Sequence, residues 1–205
     1  MDFEVRKLEK EEISYIYQTY MTQDFPQNEL KPLGHILKSM ERGYGFALGI
    51  YKGADLMGYA VLIVTAKSAL LDYFAIVKAY RGKGVGHEAF RLLQNYFEEQ
   101  LPGINGIYIE AEQIDKAKDE KGRTIRRRRI AFYQSCGCEM TALESKLFGV
   151  EYSILYRQLG STPVQPSFEA VDMIYRTMFK KTHYQCFVKL VDTLPVKAEE
   201  EKAEE

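Results

Sequence analysis

Leu70 to Phe97, LLDYFAIVKAYRGKGVGHEAFRLLQNYF, is the stretch from which the fold is read. Leu70 to Val77 is almost continuously apolar, with β-branched and aromatic members, which is the pattern of a strand buried on both faces; Asp72 is the exception. Lys78 to Arg81 leads into Gly82, Gly84 and Gly86. Beyond them Ala89, Phe90, Leu92, Leu93, Tyr96 and Phe97 recur at helical spacing. The order is strand, glycine loop, helix. The first turn of a helix leaves N–H groups without partners and carries about half a positive charge, so glycines there let an anion approach those donors. The segment is expected to hold a phosphate.

The spacing selects the kind of phosphate ligand. Neither the dinucleotide pattern G-x-G-x-x-G nor the P-loop pattern G-x-x-x-x-G-K-S/T is present. Arg81-Gly82-Lys83-Gly84-Val85-Gly86 instead matches Q/R-x-x-G-x-G/A, placed after an apolar strand and before an amphipathic helix. Further on, Arg129-Ile130-Ala131-Phe132-Tyr133-Gln134-Ser135-Cys136-Gly137 matches R/A-x-x-x-F/L-Y-x-x-x-G. On these two motifs the chain resembles the GNAT superfamily of N-acetyltransferases over Phe3 to Leu159.

The resemblance implies an α/β fold, a mixed and strongly twisted sheet of about six or seven strands flanked by helices. It implies acetyl-CoA as cosubstrate and transfer of the acetyl group to a primary amine of a small molecule or peptide, by direct attack in a ternary complex. In this family the two parallel strands splay apart and the pantetheine arm pairs with the exposed edge. Ala75, Ile76 and Val77 would then offer backbone groups to the arm. Arg81, Gly82, Lys83, Gly84, Val85, Gly86 and His87 would wrap the pyrophosphate, with Lys83 adding charge. The competing structural reading of the glycines is a tight turn with no ligand.

Carried over in the same way, Tyr133 would protonate the departing thiolate; an ordinary tyrosine, with pKa about 10, holds its proton at neutral pH. An alkylammonium acceptor must first lose a proton to a carboxylate or a water chain. Glu110 is the first choice of base, because its strand borders the acceptor side in the family; Glu112 and Asp72 are reserves. Tyr17, Tyr20, Phe25 and Glu29, in the first helical region and the turn-rich patch after it, are candidates to touch the acceptor. Relatives carry Asn early in the second-motif helix where arginine stands here, so that pantetheine contact is not carried over.

Composition bounds the rest. A chain of 205 residues with 46% apolar content supports one good core. A net charge of -1 provides no global field for nucleic acid or an anionic membrane, and neither is expected as a partner. Three cysteines fit neither a disulfide framework nor a four-ligand metal site, so no metal and a reducing, cytoplasmic setting are expected. The start, MDFEVRKLEKEE, has no apolar leader pattern.

In order, the pattern predicts a strand at Phe3 to Leu8, helices at Glu9 to Met21 and Leu33 to Arg42, and a hairpin of Gly45 to Tyr51 with Leu56 to Thr65. Gly106 to Glu112 is a further strand. Gln113 to Arg123 reads as a charged linker or lid, with Thr124 capping the next helix, and Arg126 to Arg129 is a run that calls for an acidic neighbour. Glu139 to Phe148 and Val150 to Leu159 form a terminal hairpin. The organisation expected is a catalytic domain at 1–159, an appendage at 160–191 covering the acceptor site or making a homodimer contact, and a charged tail at 192–205. Two alternatives stand beside the enzyme: a non-catalytic acyl-CoA binder of the same fold, and a nucleic-acid-associated protein using the arginine run.

Overall fold

The computed structural model describes residues 3–193. Of the charged tail expected at 192–205, residues 194–205 lie outside the described residues, while Asp192 ends a strand.

The chain opens with β1 (Phe3–Lys7) and α1 (Lys10–Ile16), whose Ile13 and Ile16 are buried. A π-helical turn (Tyr17–Met21) and the short α2 (Thr22–Asp24) extend this helix. α3 (Leu33–Glu41) follows a loop fixed by Pro26 and Pro32. The antiparallel meander is β2 (Gly45–Lys52), β3 (Asp55–Val64) and β4 (Ser68–Ile76). A 3-10 turn at Lys78–Tyr80 and the glycine loop lead into α4 (Val85–Gln100). β5 (Gly106–Glu112) returns parallel to β4, as a strand–helix–strand crossover requires.

After a second 3-10 turn (Ile114–Lys116), α5 spans Glu120–Ser135. This corrects the sequence reading at two points. The cap is Asp119, whose carboxylate accepts the Gly122 N–H at 2.7 Å, and not Thr124. The four arginines therefore lie inside the helix rather than at its start, so they do not oppose its dipole.

β6 (Glu139–Leu147) and β7 (Val150–Gln158) form the expected hairpin, and α6 (Phe168–Met178), α7 (Lys181–Phe187) and β8 (Val188–Asp192) complete the chain. Among the described residues the sheet has eight strands, in the order β1-β2-β3-β4-β5-β7-β6-β8. The strand beyond the expected number is β8, which the appendage adds beside β6.

Helices cover both faces. α4 and α5 bury Leu71, Ile109, Phe90, Leu93 and Tyr133 on one side. α6 buries Leu70, Tyr108, Ile174 and Tyr175 on the other, beside a cluster of Ile13, Ile16, Tyr59 and Tyr73 under α1 to α3. Neighbouring residues of β4 and β5 thus point to opposite layers, which is why the β4 stretch from Leu70 to Val77 reads as an almost continuous apolar run.

Candidate active site

β4 and β5 are paired at only four positions, ending at Leu71 with Ile109. β4 continues to Ile76 and β5 to Glu112 without each other, so the sheet opens into a fork. A β-bulge contributes to this opening. Val61 of β3 faces Tyr73 while Leu62 faces Leu71, which leaves Asp72 as the extra residue at the first open rung.

Backbone groups alternate along β4, and this sorts the residues expected to face the fork. Val77 donates its N–H to Met57 O at 2.9 Å and its carbonyl accepts the Tyr80 N–H at 2.9 Å, so both of its groups are engaged. Ala75 directs its carbonyl at Gly58 of β3. Ile76 and Phe74, one residue out of step, face the fork. Phe74 was not singled out from sequence, although the period of two contained the information.

In the glycine loop, Gly82 and Gly84 have φ of +74° and +76°, a left-handed conformation that side chains resist, with nothing within 4 Å of either missing Cβ. Gly84 is the residue before α4, so the amides of Val85 and Gly86 open outward in the first turn. The Val85 side chain is buried, leaving only its backbone for a ligand. Gly86 has a different role: a Cβ there would lie 3.1 Å from the Phe132 ring, so it allows α4 and α5 to touch.

Three loop side chains have local partners. Arg81 donates through Nε to Ile76 O at 2.6 Å and through Nη2 to Asp24 Oδ1 at 2.5 Å, and Tyr59 donates to the other Asp24 oxygen at 2.7 Å. Arg81 thereby ties the loop to α2. Lys83 is exposed, with Nζ donating to Ala79 O at 3.1 Å. His87 packs on Phe132 at 5.2 Å and its Nε2 is 2.9 Å from Ser135 Oγ.

On the α4–α5 face of the fork, Tyr133 lies between the Phe90 and Phe132 rings, at centroid distances of 5.9 Å and 5.2 Å. Its hydroxyl makes no hydrogen bond with another side chain or backbone group among the described residues, and burial pushes its pKa up. It is a protonated donor without a partner.

On the opposite face stand the carboxylates, and their partners separate them. Glu112 is held by Arg126 and by Arg129, the latter at 3.0 Å. This is the acidic neighbour that the arginine run required. Arg127 pairs with Glu120 at 2.9 Å, so three of the four arginines have a carboxylate partner. Asp72 is paired with Lys31 Nζ at 2.6 Å. Among the described residues Glu110 has no cation in contact; it is hydrogen-bonded to the Tyr175 hydroxyl. Burial raises its pKa to about 7, against the pull of Tyr175, Lys31 and Ser145.

Of the acceptor candidates, Tyr17 donates to Lys31 O at 3.0 Å, Tyr20 packs near Tyr59, and Phe25 packs edge-on against Tyr73 at 4.9 Å. Glu29 is half-buried, and burial raises its pKa. Lys31, Asp24, Ser145 and Tyr175 were not found from sequence: Lys31 is one lysine in a polar turn, and Tyr175 reads as a core position of an amphipathic helix.

Residues 4–138 match the model of the acetyltransferase (GNAT) family. The chain belongs to the GNAT family. Its members use acetyl-CoA, and this chain is an acetyl-CoA-dependent acetyltransferase by that membership. The GNAT fold is shared with solved structures of low identity. The ribosomal-protein-S18-alanine N-acetyltransferase of Escherichia coli is 15% identical, with 82% of this chain and 100% of that chain covered and a TM-score of 0.55. The spermidine N-acetyltransferase of Vibrio cholerae is 14% identical, with 76% and 93% covered and a TM-score of 0.55. An acetyltransferase of Bacillus subtilis, solved in complex with CoA, is 16% identical, with 78% and 100% covered and a TM-score of 0.52. No curated protein matches this GNAT chain by sequence. Among the described residues, no helix is long and apolar enough to cross a membrane.

Proposed function

We propose that the protein transfers the acetyl group of acetyl-CoA to a primary amine of a small molecule or peptide, by direct attack within a ternary complex. The observation that carries this reading is the fork itself, with a carboxylate free of cation partners, Glu110, on one face and an unpartnered tyrosine hydroxyl, Tyr133, on the other.

The residues present fit the cosubstrate. Gly82, Gly84 and the first-turn amides of Val85 and Gly86 form an anion cradle, and the Phe74 backbone with the Ile76 N–H is an open strand edge for the arm, the Ile76 carbonyl being held by Arg81. When bound, the thioester supplies an activated acyl group. Glu110 takes the proton from the acceptor ammonium, and its raised pKa suits a base working near neutrality. Tyr133 gives its proton to the leaving sulfur. Holding both reactants in one fork supplies the proximity.

Domain 1–159 holds these parts, and segment 160–191 closes the acceptor side through α6. One structural neighbour is named for an alanine of a ribosomal protein and another for spermidine, both amine-bearing, which supports an amine acceptor without choosing among them. The test is thiol release from acetyl-CoA across a panel of primary amines, comparing wild type with Glu110→Gln. Release with one amine class, lost in the variant, is expected. CoA binding without release on any amine would favour the non-catalytic binder.

A further inference from the structure

Lys31, in the loop between α2 and α3, sends its ammonium to the fork. Its Nζ lies 2.6 Å from Asp72 Oδ1, 5.8 Å from the centroid of the Tyr73 ring and 5.9 Å from that of Phe179. A carboxylate with aromatic faces around it is the kind of surrounding that recognises an alkylammonium group. The backbone on both sides is fastened. Tyr17 donates to Lys31 O at 3.0 Å, Lys31 N–H donates to the Tyr73 hydroxyl at 2.8 Å, and that hydroxyl donates to Glu29 O at 2.9 Å. The Lys31 side chain is 27% exposed, so the caged ammonium still meets solvent.

Its position matters more than its cage. Asp72 and Glu110 are the residues immediately after the last β4–β5 pair, and the Lys31 charge is felt at Glu110. An arm leaving the glycine loop and following the free β4 edge from Ile76 to Asp72 descends about 13 Å, at about 3.3 Å per residue, and ends at this rung. The chain's own primary amine therefore stands where an acceptor nitrogen has to stand.

The geometry points to Lys31 as a site of self-acetylation, with its Nζ in the place of the acceptor amine. This rests on the reading above that the acyl donor occupies the fork. Glu110 accepts one proton from the Lys31 ammonium. The freed lone pair forms the N–C bond to the acetyl carbonyl carbon, the thioester C–S bond breaks, and the sulfur leaves with that electron pair and the Tyr133 proton. The amide nitrogen loses its second proton to solvent, solvent returns one to Tyr133, and Glu110 later releases its own. The products are acetyl-Lys31, CoA thiol and one net proton. Acetyl-Lys31 carries no charge, so Asp72 loses its ion-pair partner and the rung is occupied by an amide.

Full-chain protein incubated with acetyl-CoA and no added amine tests this, with acetylation followed by peptide mass spectrometry and the exposed Lys118 as internal control. Lys31 is expected to react about a hundredfold faster than Lys118, a factor typical of positioned acid–base assistance, at a rate independent of protein concentration. Glu110→Gln should remove that advantage. Equal rates at the two lysines, or a rate proportional to protein concentration, would overturn the proposal. Calorimetric titration of wild type and Lys31→Ala with CoA, without any acyl donor, separates the two readings. CoA uptake and thiol release with added amines, but no acetyl-Lys31, sinks self-acetylation alone; no CoA uptake sinks both.

Discussion

The Tyr175 hydroxyl donates its hydrogen bond to the Glu110 carboxylate, and so joins a helix outside the family-matched residues 4–138 to the strand that borders the fork. The same hydroxyl is hydrogen-bonded to Ser145 of β6 at 2.9 Å, and Tyr175 is 0% exposed. The other groups acting on Glu110 are Lys31 of the α2–α3 loop and Asp72 of β4, while Tyr152 of β7 is itself influenced by the Glu110 charge.

A pH profile should report this bond. Glu110 ionises near 7, so kcat/KM should rise with pH through that value. Tyr175→Phe removes a hydrogen bond that favours the ionised carboxylate, and the rise should move up by about one pH unit, the equivalent of one such bond. An unmoved profile in the variant would mean that Tyr175 only packs.

Stability should show the same group with the opposite consequence. An unfolded glutamate titrates near about 4.3, whereas burial holds Glu110 near about 7 in the fold. Between these values the unfolded chain gives up the proton and the native state keeps it, so this group's contribution falls as pH rises and then levels off. Glu110→Gln should therefore raise Tm relative to wild type more at pH about 8 than at pH about 4. Thermal melts at the two pH values decide it.

Gly84→Ala should damage the cradle with little effect elsewhere. A Cβ at φ +76° meets no neighbour, so the cost is conformational, about 1–2 kcal/mol. If the loop relaxes to avoid that cost, the amides of Val85 and Gly86 turn away and CoA affinity should drop about tenfold or more. Isothermal titration measures this, and unchanged affinity would place the anion elsewhere.

Tyr133→Phe should lower kcat by about a hundredfold, the lower end of what positioned proton transfer contributes. CoA affinity should hold, and Tm should hold, because the hydroxyl removed makes no hydrogen bond among the described residues. A collapse of CoA affinity with kcat intact would exclude the proton-donor role.

The two carboxylates that meet the arginine run should differ sharply on removal. Glu112 is 9% exposed and holds two guanidinium groups, so Glu112→Ala strands those charges and should cost about 3 kcal/mol or more. Glu120 is a surface partner, and Glu120→Ala should leave the denaturation midpoint unchanged. Chemical denaturation of both variants provides the comparison.

Much of the fork was legible from residue order. The β4 run, the glycines and the spacing of Phe90, Leu93 and Phe97 each report on neighbours within a few residues, where backbone geometry decides the outcome. The start of α5 was misread because Gly122 and a charged stretch weigh against a helix, while the Asp119 cap and packing behind the helix outweigh them. β8 depends on tertiary structure because a short apolar run becomes a strand only when an edge such as that of β6 is present to pair with it.

By itself the sequence determined the strand, anion loop and helix, the family, and a short set of carboxylates and one tyrosine as candidates. Only the tertiary structure decided which carboxylate is free of cations. Glu112 meets Arg126 and Arg129 across a turn, Asp72 meets Lys31 over a separation of 41 residues, and Glu110 meets Tyr175 over 65. The physical reason is that periodicity and backbone dihedrals are local quantities, whereas a buried carboxylate takes its pKa and its role from whatever the fold places against it.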